Sequence, residues 1–148
     1  MRIAIGNDHR GCELKMQVIE IIEKMGHEIH DFGCPVGEVV DYPDIALPVA
    51  EGVINGEYDR AILICATGIG MCIAANKVRG IRAAQCYDAF TARRARLHNN
   101  AQICCLAAEE IGGKAKIIVG EFLAVEYEGG RHDARLRKIK EIEDKQCQ

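Results

Sequence analysis

Several features that mark common protein classes are scarce or absent in this sequence. It contains no tryptophan, and aromatic residues make up only 5% of the chain, which disfavours stacking platforms for bases or flavin rings. The 19 lysines and arginines do not exceed the 22 acidic residues, leaving a net charge of −3, so nucleic acid is not an expected partner. No apolar run reaches the roughly 18 residues of a membrane span, and we expect no membrane partner.

A secretory signal and a zinc-binding cysteine pattern are also absent. The N-terminal segment turns polar at residues 7–10, after only four apolar-biased positions, so we expect no signal peptide. The chain has 8 cysteines but no C-x-x-C pair, which argues against a structural zinc site and favours reduced thiols in the cytoplasm. We expect most of these thiols to pack as small buried apolar groups. They are Cys12, Cys34, Cys65, Cys72, Cys86, Cys104, Cys105 and Cys147.

The 148 residues alternate between strand and helix patterns and are predicted to form one domain spanning 1–148. Apolar runs predict five strands, at residues 2–6, 28–32, 61–65, 81–86 and 101–107. Helical spacing predicts helices at 14–25, 45–54, 71–77, 91–97 and 111–124, the first of them capped by Asn7 or Asp8. Such alternation, with an unbroken apolar third strand, indicates an open, doubly wound α/β sheet.

The C-terminal segment 126–148 departs from this pattern. Residues 131–145 are highly charged, and their only large apolar residues, Leu136, Ile139 and Ile142, form one narrow helical stripe. A helix of this kind is not stable alone. We therefore expect it to dock on a neighbouring subunit in a dimer or higher oligomer, the alternative being a frayed, solvated tail.

Ligands of open α/β sheets bind at the carboxyl ends of the strands, and this rule selects residues 7–11 and 65–71. We add residues 98–100, which precede the fifth strand, by inference. The loop 67–70 has two glycines and opens a helix, so its N–H groups can face an anion. It is neither a G-x-G-x-x-G nor a Walker A sequence, which favours a small oxyanion such as a phosphate or an enediolate over a nucleotide.

Cys65 stands immediately before this loop. A thiol that faces a helix N-terminus can act as a base or a nucleophile, although a buried core thiol is an equal alternative from position alone. His98 could equally lie on the surface of a helix, and the pair Asp8 and His9 could be a helix cap with a solvated ring. The convergence of these residue types on one face is more specific evidence for an active site than any one residue alone.

The motifs as a set, in order along nearly the whole chain, carry a family resemblance. They are Asn7-Asp8-His9, Asp31-Phe32-Gly33, Asp41-Tyr42-Pro43-Asp44, Cys65-Ala66-Thr67-Gly68-Ile69-Gly70, Ala74-Ala75-Asn76-Lys77, Gly80-Ile81-Arg82-Ala83-Ala84, His98-Asn99-Asn100-Ala101 and Gly129-Gly130-Arg131-His132. The chain resembles ribose-5-phosphate isomerase type B, a family that also includes galactose-6-phosphate isomerase subunits.

The resemblance implies an aldose–ketose isomerase of phosphorylated sugars that uses no metal and no cofactor. Its expected substrate is ribose 5-phosphate, converted to ribulose 5-phosphate through a cis-enediolate. The implied fold is Rossmann-like with a five-stranded parallel sheet, and the active sites lie between two subunits of a homodimer or homotetramer. A six-carbon or tetrose phosphate remains an alternative substrate, and a flavodoxin-like binding module or a thiol redox protein an alternative class.

Residue roles follow from the same resemblance. Cys65 is the base that moves the proton between C1 and C2, Thr67 relays protons between the two oxygens, and His98 opens the furanose ring with Asp8 nearby. The remaining groups bind the substrate. The enediolate is held by Asn99 and by the loop residues Ala66, Gly68, Ile69 and Gly70. Tyr42 lines the site. The phosphate is bound by His9, Arg131 and Arg135, and the arginines come from the partner subunit.

Three positions depart from the family pattern. Ala66 replaces a usual glycine, Arg10 stands where a small residue is usual, and Glu109 stands where an arginine generally faces the phosphate. We expect Arg10 and Glu109 to pair in a partly buried site, since a carboxylate facing a phosphate would otherwise repel it. The alternative is that both side chains simply point into solvent.

Overall fold

The computed structural model describes residues 1–146 as a five-stranded sheet covered by helices on both faces. All strand pairs are parallel and the order is β2-β1-β3-β5-β4. The strands are β1 Arg2–Asn7, β2 Glu28–Asp31, β3 Arg60–Cys65, β4 Ala83–Gln85 and β5 Ile103–Ala107. The doubly wound α/β sheet predicted from the sequence is therefore confirmed.

The helices divide between the two faces of the sheet. They are α1 Cys12–Lys24, α2 Tyr42–Ile54, α3 Ile69–Ala75, α4 Ala89–Leu97, α5 Ala115–Ala124 and α6 Asp133–Gln146, with 3-10 turns at Gly112–Lys114 and Gly130–His132. On one face α5 contacts both α1 and α4, and on the other face α2 contacts α3. No helix in residues 1–146 is long and apolar enough to cross a membrane.

The central strand β3 is buried along its whole length. Ile62 and Ile64 pack into the core beneath α1, α4 and α5, whereas Leu63 and Cys65 pack into the core beneath α2 and α3. Alternate side chains of a strand point to opposite faces, so a strand that must fill two cores is apolar at every position. This explains the unbroken apolar run in the sequence.

Some element boundaries differ from the predicted ones. The fourth strand covers only Ala83–Gln85 because it lies at the sheet edge and pairs with β5 alone. The predicted cap of α1 by Asn7 or Asp8 is wrong. Gly11 occupies the N-cap without a side-chain bond, and the Asp8 carboxylate instead accepts the Arg10 N–H at 2.9 Å inside the preceding turn.

The C-terminal segment forms a helix whose polar side chains bind its own chain. Glu143 Oε1 accepts the Gly80 N–H at 3.0 Å, and Asp144 pairs with Arg79. The apolar stripe stays open to solvent, with Ile139 41% and Ile142 57% exposed. Docking of this stripe on a partner remains a prediction, and Cys147 lies outside the described residues.

Buried arginines hold the chain that leads into this segment. Arg60 donates from Nη1 to the carbonyls of Phe122 and Leu123, each at 2.8 Å, and from Nη2 to Glu126 at 2.9 Å. Arg96 donates to the Val125 carbonyl at 3.3 Å, and burial together with the neighbouring Arg60 lowers the pKa of Arg96 to about 10. The guanidinium groups thus satisfy carbonyls at the end of α5 that have no helical partner.

Replacing Arg60 with methionine keeps most of the side-chain volume but leaves buried carbonyls without donors. We expect Arg60→Met to lower the free energy of unfolding by about 3 kcal/mol, measured by urea denaturation. Arg2→Met is the matched control, because exposed Arg2 also donates to a backbone carbonyl, that of Gly56. It should cost less than about 1 kcal/mol; equal effects would contradict the role of the buried network.

Candidate active site

The loops that follow β1, β3 and β5 meet at the carboxyl edge of the sheet. Asn7 pairs in register with Ile64, and Cys65 with Ala107. Beyond the strands, the Asp8 N–H donates to the Ile64 carbonyl at 3.1 Å, and the Ala108 N–H donates to the Cys65 carbonyl at 2.9 Å. Because β3 is central, Cys65 lies in the middle of this edge.

The loop after β3 folds back over the Cys65 thiol. The Gly68 N–H donates to Cys65 Sγ at 3.2 Å, and Cys65 is only 4% exposed. Gly68 has φ +74, and a Cβ there would lie 3.1 Å from the Leu106 carbonyl carbon. Both the left-handed backbone and this close approach require glycine. The structure therefore gives the thiol an amide donor, as its position before the loop predicted.

Thr67 is exposed at the tip of this loop. Its hydroxyl accepts the Ile69 N–H at 3.3 Å, and its carbonyl accepts Gln85 Nε2 from β4 at 2.6 Å. The sequence analysis missed Gln85, since its contact depends on the register of an edge strand. The Ala66 carbonyl accepts the Glu109 N–H at 3.0 Å. Hydrogen bonds therefore hold the loop to β4 on one side and to the segment after β5 on the other.

Other predicted site residues lie on the loop after β1 and at the start of α2. Asp8 is buried and His9 Nδ1 lies 3.3 Å from the Val40 carbonyl. The Tyr42 ring packs on Gly70, where a Cβ would come within 2.8 Å of the ring. Asp8 and His9, on the loop after β1, and Tyr42, at the start of α2, thus lie at the same edge of the sheet as Cys65.

His98 and Asn99 lie at the opposite edge of the sheet. His98 ends α4 as its C-cap residue, and α4 runs back from the carboxyl end of β4 to the amino end of β5. The five residues of β5 separate the two edges by roughly 16 Å. The expectation that residues 98–100 reach the carboxyl edge of their own chain is therefore wrong. Nearness in sequence to a strand does not fix which end of it a residue occupies.

The amino edge carries two stacked histidines. The rings of His98 and His132 stack with centroids 4.1 Å apart. Arg94 Nη1 lies 2.7 Å from His98 Nε2, and Arg135 Nη1 lies 3.4 Å from His132 Nδ1. Burial, followed by the charges of His132 and Arg94, lowers the pKa of His98. The lowered pKa favours the neutral form of the His98 ring.

His98, Glu128 and His132 form a set of possible metal ligands, whose ligand atoms all lie within 4.8 Å of one another. The sequence spacing did not reveal this cluster, because His98 is distant in sequence from the neighbouring pair Glu128 and His132. Three guanidinium groups surround it, those of Arg94, Arg131 and Arg135. Three cations oppose a divalent metal ion and favour an anion such as phosphate.

Arg10 and Glu109 form the predicted pair across the loop that follows β3. Arg10 Nη1 lies 3.3 Å from Glu109 Oε1, with the two side chains 63% and 58% exposed. The contact is confirmed, but the expectation of a partly buried site is wrong, and an exposed pair contributes less than about 1 kcal/mol. The Arg10 guanidinium can therefore leave Glu109 for another anion at a small cost in free energy.

The Gly68 backbone provides a test of how tightly this site is built. We expect Gly68→Ala to lower the free energy of unfolding by about 2–3 kcal/mol, because alanine is strained in the left-handed backbone conformation and its Cβ crowds the Leu106 backbone. Gly26→Ala is the matched control, with φ +79 and open space around a Cβ, and should cost about 1 kcal/mol. Equal losses in urea denaturation would show that the Leu106 contact is unimportant.

Comparison with known proteins identifies the family. The chain matches the ribose/galactose isomerase family over residues 3–139. It is 45% identical to D-erythrulose-4-phosphate isomerase of Pectobacterium atrosepticum, over 94% of this chain and 93% of that protein.

Its fold is similar to two solved structures of ribose-5-phosphate isomerase B. The Clostridium thermocellum structure has a TM-score of 0.95 and 50% identity, covering 98% of this chain and 99% of that chain. The Mycoplasma genitalium structure, with bound ribulose-5-phosphate, has a TM-score of 0.91 and 40% identity, covering 97% and 96%. The chain belongs to the ribose/galactose isomerase family.

Proposed function

We propose that this chain is an aldose–ketose isomerase that interconverts ribose 5-phosphate and ribulose 5-phosphate through a cis-enediolate. The observation that carries the proposal is the Cys65 thiol, which accepts the Gly68 N–H at 3.2 Å in a loop of amides at the centre of the carboxyl edge. Family membership supplies the reaction class. The active form is a cytoplasmic homodimer of one-domain chains.

The geometry supports a proton transfer between adjacent carbons. Cys65 takes the proton from one carbon of the open-chain sugar and returns it to the other. The negative charge that develops on the two oxygens is stabilised by the amides of loop 66–70, each such donor being worth about 2.7–4 kcal/mol. The exposed hydroxyl of Thr67 lies on the same loop and suits proton relay between those oxygens.

The two edges of the sheet carry complementary halves of the proposed site. The carboxyl edge supplies Cys65 and His9, whereas the amino edge supplies His98, Arg131 and Arg135, roughly 16 Å away in the same chain. A twofold arrangement that sets the amino edge of one subunit against the carboxyl edge of the other completes two equal sites. The exposed stripe of α6 offers apolar surface for the same contact.

The proposed reaction uses no metal and no cofactor. Loop amides hold the enediolate oxygens, which is the task of a Lewis acid in metal-dependent isomerases. At the amino edge, the guanidinium groups around His98 and His132 favour the substrate phosphate over a cation. Arginine suits this task because its planar fork binds two phosphate oxygens together.

A tetrose phosphate is the second candidate substrate. A relative 45% identical to this chain is named D-erythrulose-4-phosphate isomerase, so the scaffold accommodates a shorter sugar in that protein. Arg10 and Glu109, which meet at 3.3 Å, replace residues usual in the ribose-type pattern and stand at the same edge as His9. Substrate choice is therefore tested by comparing kcat/KM for ribose 5-phosphate and for erythrulose 4-phosphate.

Removing the Cys65 thiol tests the assigned base. We expect purified wild type to form ribulose 5-phosphate from ribose 5-phosphate, and Cys65→Ala to lose all but a few per cent of kcat while still binding the sugar phosphate. Cys86→Ser is the control, since this buried thiol lies outside the site, and should be far milder. Turnover by Cys65→Ala near the wild-type rate would show that another group is the base.

Mixed dimers test the shared site. Cys65→Ala and His98→Gln chains should each be inactive, but a heterodimer purified through two different tags contains one site with both residues intact. It should recover about half of the wild-type dimer's activity. If each chain built its own site, both sites of the heterodimer would be defective and no activity would return.

A further inference from the structure

A buried lysine lies behind the turn that carries His9. Lys15, in the first turn of α1, exposes only 11% of its side chain, and its Nζ lies 2.9 Å from Asp31 Oδ2 at the end of β2. Lysine is almost never this buried unless it is paired, because its ammonium group loses water. The proposed reaction gives neither Lys15 nor Asp31 a role.

The Asn7 side chain and the Gly33 backbone share the space around the Lys15 ammonium group. A Cβ on Gly33 would lie 2.2 Å from Asn7 Oδ1 and 2.3 Å from Lys15 Nζ, so the two polar atoms converge beside the Gly33 backbone. Asn7 is fully buried, and its Oδ1 accepts no hydrogen bond within residues 1–146. The nearby positive charge therefore offsets the cost of burying this oxygen. We call Asn7, Lys15, Asp31 and Gly33 the Lys15 cluster.

One side of the Lys15 cluster fixes the backbone that leads into His9. Asn7 Nδ2 donates to the Asp8 carbonyl at 2.8 Å and lies 3.3 Å from Cys12 Sγ at the start of α1. The Asp8 carbonyl belongs to the peptide bond that joins Asp8 to His9. The Asn7 amide therefore holds the backbone from which the His9 side chain projects.

The other side of the cluster fixes the segment that leaves β2. Lys15 holds the Asp31 carboxylate, whose Oδ1 accepts the Gly33 N–H at 2.7 Å. The next N–H, that of Cys34, donates to the Asn7 carbonyl at 3.2 Å. The first two residues after Phe32 are thus attached to members of the Lys15 cluster.

The far end of this segment meets the His9 ring. Cys34 Sγ donates to the Glu38 carbonyl at 3.2 Å, which closes a compact loop. The Val40 carbonyl then lies 3.3 Å from His9 Nδ1. A carbonyl oxygen only accepts hydrogen bonds, so this contact places the proton of the neutral ring on Nδ1 and leaves Nε2 as the free nitrogen.

We propose that Lys15 is a positioning residue, which holds the His9 ring with its proton on Nδ1 and its Nε2 available to the substrate. Without the ammonium group, the Asp31 carboxylate loses its counter-charge and Asn7 Oδ1 stays buried beside no cation. The segment after β2 then shifts, and the Val40 carbonyl moves away from the ring. The effect on catalysis rests on the proposed function, in which His9 contacts the sugar phosphate, whereas the ring tautomer does not.

Nitrogen NMR of protein labelled in its histidine rings tests the tautomer directly. Spectra are recorded at alkaline pH, where histidine rings are neutral, and the His9 signals are assigned by their loss in His9→Gln. We expect the proton on Nδ1 in wild type and largely on Nε2 in Lys15→Met, because an unconstrained imidazole side chain prefers that form. Asp31→Asn, which removes the ion pair at constant volume, should give the same change and covers the case in which Lys15→Met does not fold.

Lys24→Met is the matched control for this measurement. Exposed Lys24 lies on the same helix and also pairs with a carboxylate, that of Glu20 at 3.6 Å, so its loss should leave the His9 tautomer unchanged. A wild-type His9 with its proton on Nε2 would overturn the proposal. Spectra of folded Lys15→Met and Asp31→Asn that match wild type would also overturn it.

Steady-state kinetics separate positioning from stability. Lys15→Met should raise KM for ribose 5-phosphate about tenfold and leave kcat within about twofold, because His9 binds the substrate whereas Cys65 moves the proton. Lys24→Met should match wild type in both constants. A merely unstable variant loses active protein, which lowers the apparent kcat at unchanged KM, and an unchanged KM would contradict the positioning role. A wild type without isomerase activity would refute the proposed function alone, since the tautomer still decides the role of Lys15.

Discussion

The hydrogen bonding of β3 to strands on both sides is the constraint from which the site follows. Parallel pairing with β1 and β5 buries every residue of β3, so the strand ends abruptly where the chain turns polar. That end carries Cys65, and the loops leaving the two neighbouring strands stand on either side of it. The thiol, the amide loop and the flanking polar residues come together because parallel strands end at one edge.

The same directionality divides the proposed site between two copies of the chain. Every crossover helix must return the chain to the amino edge before the next strand, so the end of α4 cannot stand beside Cys65. His98 therefore gathers with His132 and three guanidinium groups at the far edge. Neither edge alone combines a base, an enediolate cradle and a phosphate site, so the proposed function requires two copies of the chain.

Local patterns were enough to predict the sheet, the helices and Cys65 at a loop of amides, because each depends on neighbours in sequence. The Arg10–Glu109 contact was also predictable, since both residues follow strands that flank β3. Its exposure was not, because solvent access depends on the surrounding loops. The contact of Gln85 with Thr67 and the stack of His98 on His132 were beyond reach, as strand register and packing between distant segments create them.

Gly68 links the Cys65 thiol to the first turn of α3. Its N–H donates to Cys65 Sγ, and its carbonyl accepts the N–H of Cys72. The residue has little room to adjust, because it holds φ +74 and packs against the Leu106 backbone. A displacement of Cys72 therefore cannot be absorbed at Gly68 and passes to the amide that orients Cys65. A loop rigid enough to stabilise an enediolate is, for the same reason, sensitive to the packing of the helix behind it.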